Sequence, residues 1–312
     1  MTKPFSIAVL GGGLIGASWA ALFLAYGHNV RIADPDPETK DRCMEFIVRA
    51  WPHLQELVPE LLRDAPLHRL AVVTEISAAC AGVDFVQECG PDRIDAKRTI
   101  VSQAESILSS DVIIASSTSS LLASDIQTGA RHPERILVAH PMNPPHLLPL
   151  VELVAGRATT PEALRKADAF YQSLNRVTIC VQKERPGHLA NRLTAALYRE
   201  AVNIVAEGIA SVADVDRAIA YGPGMRWGLM GPHMIYHLGG GQGGYRRYLE
   251  HLGPTQEARW QDLGHPALTA DLIEKLVAGL EQELQGHDVP SLESARDEAL
   301  VALTKIKQTL PF

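Results

Sequence analysis

The sequence predicts an α/β protein: a Rossmann-type doubly wound sheet followed by an all-α C-terminal domain. Three observations carry that prediction. From residue 5 to about 185, short apolar runs alternate with amphipathic stretches, the pattern of strands crossed by covering helices. The first of these runs leads into a cluster of glycines. After about Val181 no strand signal of comparable strength returns, and the chain reads as successive helices. The change of texture at Pro186 separates residues 1–185 from residues 186–312.

Taken in order, Ser6–Leu10 reads as a buried strand. Ile15, Trp19, Leu22, Phe23 and Tyr26 then fall at helical spacing on one face, and Gly27 ends that helix. Asn29–Ala33 is a second strand. Leu70–Val73, Asp84–Gln87, Val112–Ala115 and Arg135–Ala139 supply later ones. Pro186-Gly187 opens a long helical pattern through Leu189, Leu193, Leu197, Ala201, Ile204 and Val205. Further helices are expected after a cap at Ser211 and over Thr269–Leu284. The last is expected to be capped by Ser291, with Glu293, Asp297 and Glu298 in its first turns, where the helix dipole favours acidic groups.

Composition narrows the function classes. The 312 residues are 46% hydrophobic and 21% charged, an ordinary globular balance that argues against extensive disorder. The formal net charge of −7, with no lysine–arginine block, argues against a nucleic-acid partner, which calls for a basic face. No uninterrupted apolar stretch is long enough for a bilayer, so no membrane partner is expected. The start of the chain lacks the charged region and cleavage site of a signal peptide. Cys43, Cys80, Cys89 and Cys180 form no C-x-x-C pair, which fits a reducing cytoplasm better than a disulfide framework or zinc ribbon. His233 and His237 stand one helical turn apart, but no glutamate follows the first and no third ligand has suitable spacing, so no metal is expected.

Gly11-Gly12-Gly13-Leu14-Ile15-Gly16 fits G-x-G-x-x-G. Alone that pattern is weak, because a glycine-rich turn suits many α/β domains. Here it stands between a strand and an apolar helix, and a second strand ends in Asp34, eighteen residues past Gly16. Gly11 allows the tight turn, Gly13 lets backbone approach a pyrophosphate, and Gly16 lets helix pack on strand. Leu14 and Ile15 open the helix, where free amides favour phosphate. Asp34 can accept ribose hydroxyls but repels an added phosphate, and Pro35-Asp36-Pro37 supplies no arginine to counter it. The expected cofactor is NAD.

Three further segments stand out: Ala115–Leu121, Val138–Pro145 with Leu148–Leu153, and Pro186 through Arg192. His140 follows a predicted strand, where crevices of open α/β sheets lie. Glu152 is twelve residues later on an apolar run that can pair beside it, and a glutamate beside an imidazole fixes its tautomer and stabilises its charge. Taken singly, His140 also reads as a structural hydrogen-bonder, Ser119 as a helix cap and Asn191-Arg192 as helix surface.

Together these segments resemble the L-3-hydroxyacyl-CoA dehydrogenase family over nearly the whole chain. Thr118-Ser119-Ser120-Leu121, His140-Pro141-Met142-Asn143-Pro144, Glu152, and Pro186-Gly187 through Asn191-Arg192 carry the resemblance. It implies an oxidoreductase in which His140 is the acid–base and Glu152 orients it. Ser119 and Asn191 then bind the reacting oxygen. It further implies Asp92 and Lys97 near the cofactor, a substrate-binding helical domain and a homodimer. Asp92 stands where the family usually has glutamate, and a solvated helix start is an equal reading for that pair.

The motifs around His140 and the segment Gly222–Pro232 are similar to the branch acting on small free acids, of the L-carnitine and L-gulonate kind. Arg226 there is implied to bind substrate, and a guanidinium suits a free carboxylate; a structural or interface arginine is an equal reading. Residues 36–70 hold five cationic against seven acidic side chains, a poor surface for coenzyme A phosphates. Trp227, Tyr236, Tyr245 and Trp260 supply aromatic faces of the kind a quaternary ammonium prefers. A short acyl thioester is the alternative substrate. An NAD-binding sensor or crystallin-like structural protein is the non-enzymatic alternative. A lysine-using hydroxyacid dehydrogenase is excluded, because Gly187 occupies the place of its lysine.

Overall fold

The computed structural model describes residues 4–58, 61 and 63–311. Eight strands form one sheet in the order β3-β2-β1-β4-β5-β6-β7-β8. They are β1 (Ser6–Leu10), β2 (Asn29–Ala33), β3 (Leu70–Val73), β4 (Phe85–Glu88), β5 (Ile113–Ser116), β6 (Ile136–Pro141), β7 (Leu150–Ala155) and β8 (Val177–Val181). The first six run parallel, β7 is antiparallel to β6, and β8 is parallel to β7. The order reverses between β1 and β4, and ligands of open α/β sheets bind beyond the carboxyl ends of strands at such a switch.

Alternation along β1 shows how the sheet is covered. Ile7 and Val9 enter one core with α1 (Leu14–Ala25), α2 (Thr39–Leu57) and α6 (Pro161–Ser173). Ala8 and Leu10 enter the other, with α3 (Ile76–Cys80), α4 (Ile94–Glu105) and α5 (Ala123–Ile126). Both faces being covered explains why the strands read as nearly continuous apolar runs. The one-faced pattern expected for α1 does not hold: every residue from Gly16 to Ala25 is buried, because α2 and the sheet enclose the helix. Gly27 ends it as expected, at φ +80°, with His28 N–H donating back to Phe23.

The first compact unit continues to Arg192, and the second begins at Leu193. The division falls in the first turn of α7 (Ala190–Ala206), so Asn191 belongs with the strands. The second unit contains the rest of α7, then α8 (Val212–Tyr221), α9 (Pro223–Trp227), α10 (Pro232–Gly239), α11 (Gly244–Asp262), α12 (Ala270–Leu284) and α13 (Val289–Gln308). Within it α10 packs on α11, and α8 on both α9 and α12. Ser211 caps α8 as the sequence predicts, and the helix expected over Thr269–Leu284 begins at Ala270, with Thr269 as its cap. The expected cap at Ser291 is wrong by one turn. Asp288 caps α13, accepting from Ser291 N–H at 2.9 Å, and Pro290 lies in the first turn, where its fixed φ suits a helix start. Glu293, Asp297 and Glu298 accordingly lie beyond that first turn. No helix among the described residues is long and apolar enough to cross a membrane.

Candidate active site

The glycine loop leaves β1 at the switch point. Gly11 has φ +108°, and its N–H donates to Ala33 O at 2.8 Å. A Cβ on Gly11 would lie 2.5 Å from the Cys89 carbonyl oxygen, and one on Gly16 would lie 2.0 Å from the Gly11 oxygen. Both contacts are with backbone, so neither position admits a side chain. Gly13 differs, since a Cβ there would meet nothing within 4 Å. Its missing side chain leaves open space at the start of α1, beside the amides of Leu14 and Ile15, where phosphate would sit. Asp34 directly follows β2, with Oδ2 accepting from Gly12 N–H at 2.7 Å. A cavity of about 440 Å³ adjoins Gly11 and Asp34 and is lined also by Thr74, Ile76, Pro91 and Ile100. Its apolar walls fit an adenine, and sequence reasoning missed them because no motif marks them. A larger cavity of about 560 Å³ lies in the helical unit, between α7 and α12. It contains none of these groups.

The second part of the site comes from strand register. His140 and Glu152 are direct partners across the antiparallel β6–β7 pair, and His140 Nδ1 meets Glu152 Oε2 at 2.7 Å. Glu152 is fully buried and His140 nearly so. Oε1 of Glu152 accepts the N–H groups of Leu189 and Ala190, each at 2.9 Å. Burial opposes ionisation of Glu152, but the His140 bond and these two amides outweigh it and hold the carboxyl below its usual range. An ionised Glu152 fixes the proton of neutral His140 on Nδ1 and leaves Nε2 as a base.

Ser119 and Asn191 meet each other. Asn191 Nδ2 donates to the Ser119 carbonyl at 3.1 Å, while the Ser119 hydroxyl donates to Asp92 Oδ2 at 2.9 Å. Asp92 also accepts from the Thr118 hydroxyl and Ser119 N–H. Burial opposes its ionisation too, and these hydrogen bonds prevail, holding the Asp92 carboxyl below its usual range. Ser119 does not cap a helix; α5 begins four residues later without a side-chain cap.

The solvated reading fails for Lys97. It is neither solvated nor presented to the open end of the site, but 1% exposed, with Nζ on Glu88 Oε2 at 2.8 Å, Glu88 Oε1 at 3.1 Å and Gly90 O at 3.2 Å. A buried carboxylate needs a compensating partner, and Lys97 supplies one to Glu88. The pair anchors Gly90 beside the glycine loop.

Sequence reasoning also missed His188. It is 2% exposed, sits at φ +49°, donates Nε2–H to Thr118 O at 3.0 Å and packs its ring 5.2 Å from that of His140. Burial lowers its pKa and keeps it neutral. It thereby ties the Thr118–Ser119 segment to the one that holds Glu152. Its only sequence signal is its place inside the Pro186–Arg192 motif. In the helical unit Arg226 is exposed on α9, with no side-chain partner among the described residues. His233 bonds the Tyr245 hydroxyl at 2.8 Å and His237 accepts Tyr245 N–H at 3.2 Å, so the histidine pair takes part in helix packing.

A doubly wound sheet with a glycine cradle, an acidic residue directly after β2 and a buried imidazole–carboxylate pair defines an NAD-dependent oxidoreductase. Residues 6–185 match the model of the 3-hydroxyacyl-CoA dehydrogenase NAD binding domain, residues 187–281 match that of its C-terminal domain, and the chain belongs to this family. Its relatives include the L-carnitine dehydrogenase of Oceanobacillus iheyensis, 42% identical over 95% of this chain and 96% of that one. The L-carnitine dehydrogenase of Nocardiopsis dassonvillei is 40% identical over 96% and 91%. Among solved structures, the 5-formyl-3-hydroxy-2-methylpyridine 4-carboxylic acid 5-dehydrogenase, an NAD+-dependent dismutase, superposes with a TM-score of 0.84 at 25% identity, covering 98% of this chain and 99% of that one.

Proposed function

We propose that the protein oxidises a small L-3-hydroxy acid, of which L-carnitine is the favoured candidate, with His140 as the acid–base. The observation that carries the mechanism is the buried 2.7 Å bond between His140 and Glu152. Bound NAD supplies the hydride acceptor. His140 Nε2 takes the hydroxyl proton as the secondary alcohol becomes a ketone, and returns it in the reverse direction. Glu152 stabilises the resulting imidazolium, and such a placed base contributes about 10²–10⁴-fold. Ser119 and Asn191 position the reacting oxygen. Asp92 orients the Ser119 hydroxyl, and the glycine loop with Asp34 holds the dinucleotide.

The relatives named L-carnitine dehydrogenase support the choice of substrate, since their 38–42% identity extends over nearly the whole chain. The helical unit adds a stack of Tyr236 on Tyr248, with ring centroids 4.5 Å apart, and the exposed rings of Trp227 and Trp260, surfaces suited to a quaternary ammonium. Arg226 would receive the carboxylate. Leu193, Leu197, Leu238, Leu249 and Leu268 are also exposed in that unit, and this apolar surface supports a homodimer.

The test is NADH formation with L-carnitine, L-gulonate, L-3-hydroxybutyrate and L-3-hydroxybutyryl-CoA. L-Carnitine is expected to give the highest kcat/KM; a preference for the thioester overturns the assignment. His140→Ala should abolish turnover while NADH still binds.

A further inference from the structure

The turn after β2 places two acidic side chains, Asp34 and Asp36, just before α2. Asp34 uses both oxygens on backbone amides, Oδ2 for Gly12 at 2.7 Å and Oδ1 for Asp36 at 3.0 Å. The chain then enters α2, whose first turn lies against the glycine loop: a Cβ on Gly12 would lie 2.2 Å from Thr39 Cγ2. One turn into that helix is Arg42. Its Nη2 donates to Thr39 Oγ1 at 2.9 Å, and its guanidinium feels the charge of Asp34. Tertiary structure thus brings a cation to the ribose end of the site, although Pro35-Asp36-Pro37 contains none.

An arginine near the ribose-binding acid is the device that accommodates a 2′-phosphate. Here Arg42 is already engaged: Nη2 lies 2.7 Å from Asp36 Oδ2, and Nη1 3.5 Å from Glu38 Oε2. We propose that Asp36 is a cofactor-specificity residue that captures the Arg42 guanidinium and withholds it from a 2′-phosphate. Selection then has two parts. Asp34 repels the phosphate, and Asp36 occupies the cation that would attract it. Asp36 need not touch NAD to do this, so its effect falls on the phosphorylated dinucleotide.

The experiment measures NADH and NADPH dissociation constants by nicotinamide fluorescence, without substrate, at low ionic strength. The proteins are wild type, Asp34→Ala, Asp36→Asn, the double variant, and the double variant with Arg42→Ala. Asp36→Asn alone should improve the NADPH-to-NADH affinity ratio only about three-fold, because an exposed ion pair is weak and Asp34 still repels. In the Asp34→Ala background, Asp36→Asn should improve it by at least about ten-fold, as a free guanidinium binds phosphate bidentately. Adding Arg42→Ala should erase that gain, and salt should diminish it. A double variant no better than Asp34→Ala alone, or a gain that survives Arg42→Ala, overturns the proposal.

Discussion

Glu152→Gln tests the proposed acid–base pair most directly. Glu152 presents two acceptors to three donors: Oε2 to His140 Nδ1–H, and Oε1 to the amides of Leu189 and Ala190. Glutamine has one acceptor and one donor. Its oxygen must face the two amides, because the opposite placement sets an NH2 group against two N–H groups in a buried site. The side-chain NH2 then points at His140 Nδ1, which can accept only by moving the ring proton to Nε2. The atom proposed to receive the substrate proton is then already protonated. The equivalent carboxylate-to-amide change in a serine-protease triad keeps the geometry and lowers kcat about 10⁴-fold through the same tautomer error. A loss of about 10³–10⁴-fold is expected here, roughly 4–5 kcal/mol of activation free energy. The assay is steady-state NADH formation, with NADH affinity titrated in parallel and expected to move far less. A kcat within ten-fold of wild type, or a loss matched by lost NADH binding, refutes the reasoning. Acid stability provides an independent check. Because the folded carboxyl lies below its usual range, its stabilisation is complete above the ordinary carboxylate pKa and disappears as pH falls through the folded value. Denaturant titrations should therefore separate wild type from Glu152→Gln clearly at neutral pH and less so in strong acid.

Three other outcomes follow from the packing. Gly16→Ala should lower Tm sharply and abolish NADH binding, since its Cβ meets backbone, whereas Gly13→Ala should fold with unchanged Tm and lose about ten-fold in NADH affinity; differential scanning fluorimetry and fluorescence titration separate the two. Lys97→Met strands Glu88 in the interior and should cost about 3–5 kcal/mol in urea denaturation, as broken buried pairs do; a cost under about 1 kcal/mol would mean that water reaches the carboxylate. Arg226→Leu should impair turnover of free acids more than of their amides; a uniform loss would make the arginine structural.

Local chemistry alone determined a good part of this protein. A strand, a glycine turn, an apolar helix and a second strand ending in an acid are contiguous in sequence, so Gly11, Gly13, Gly16 and Asp34 declared the dinucleotide site without tertiary information. His140 and Glu152 were legible for a related reason: one antiparallel turn brings residues twelve apart into register. Contacts between distant segments were left to the fold. Lys97 turned inward because Glu88, nine residues earlier and on a strand buried on both faces, needs a counter-charge. His188 reached His140, and Arg42 reached the ribose end of the site, because α7 and α2 begin where the loops deliver them. Spacing can report which side chains share an element. Which of two neighbouring charges takes a third is decided by desolvation and geometry, and both exist only once the chain has packed.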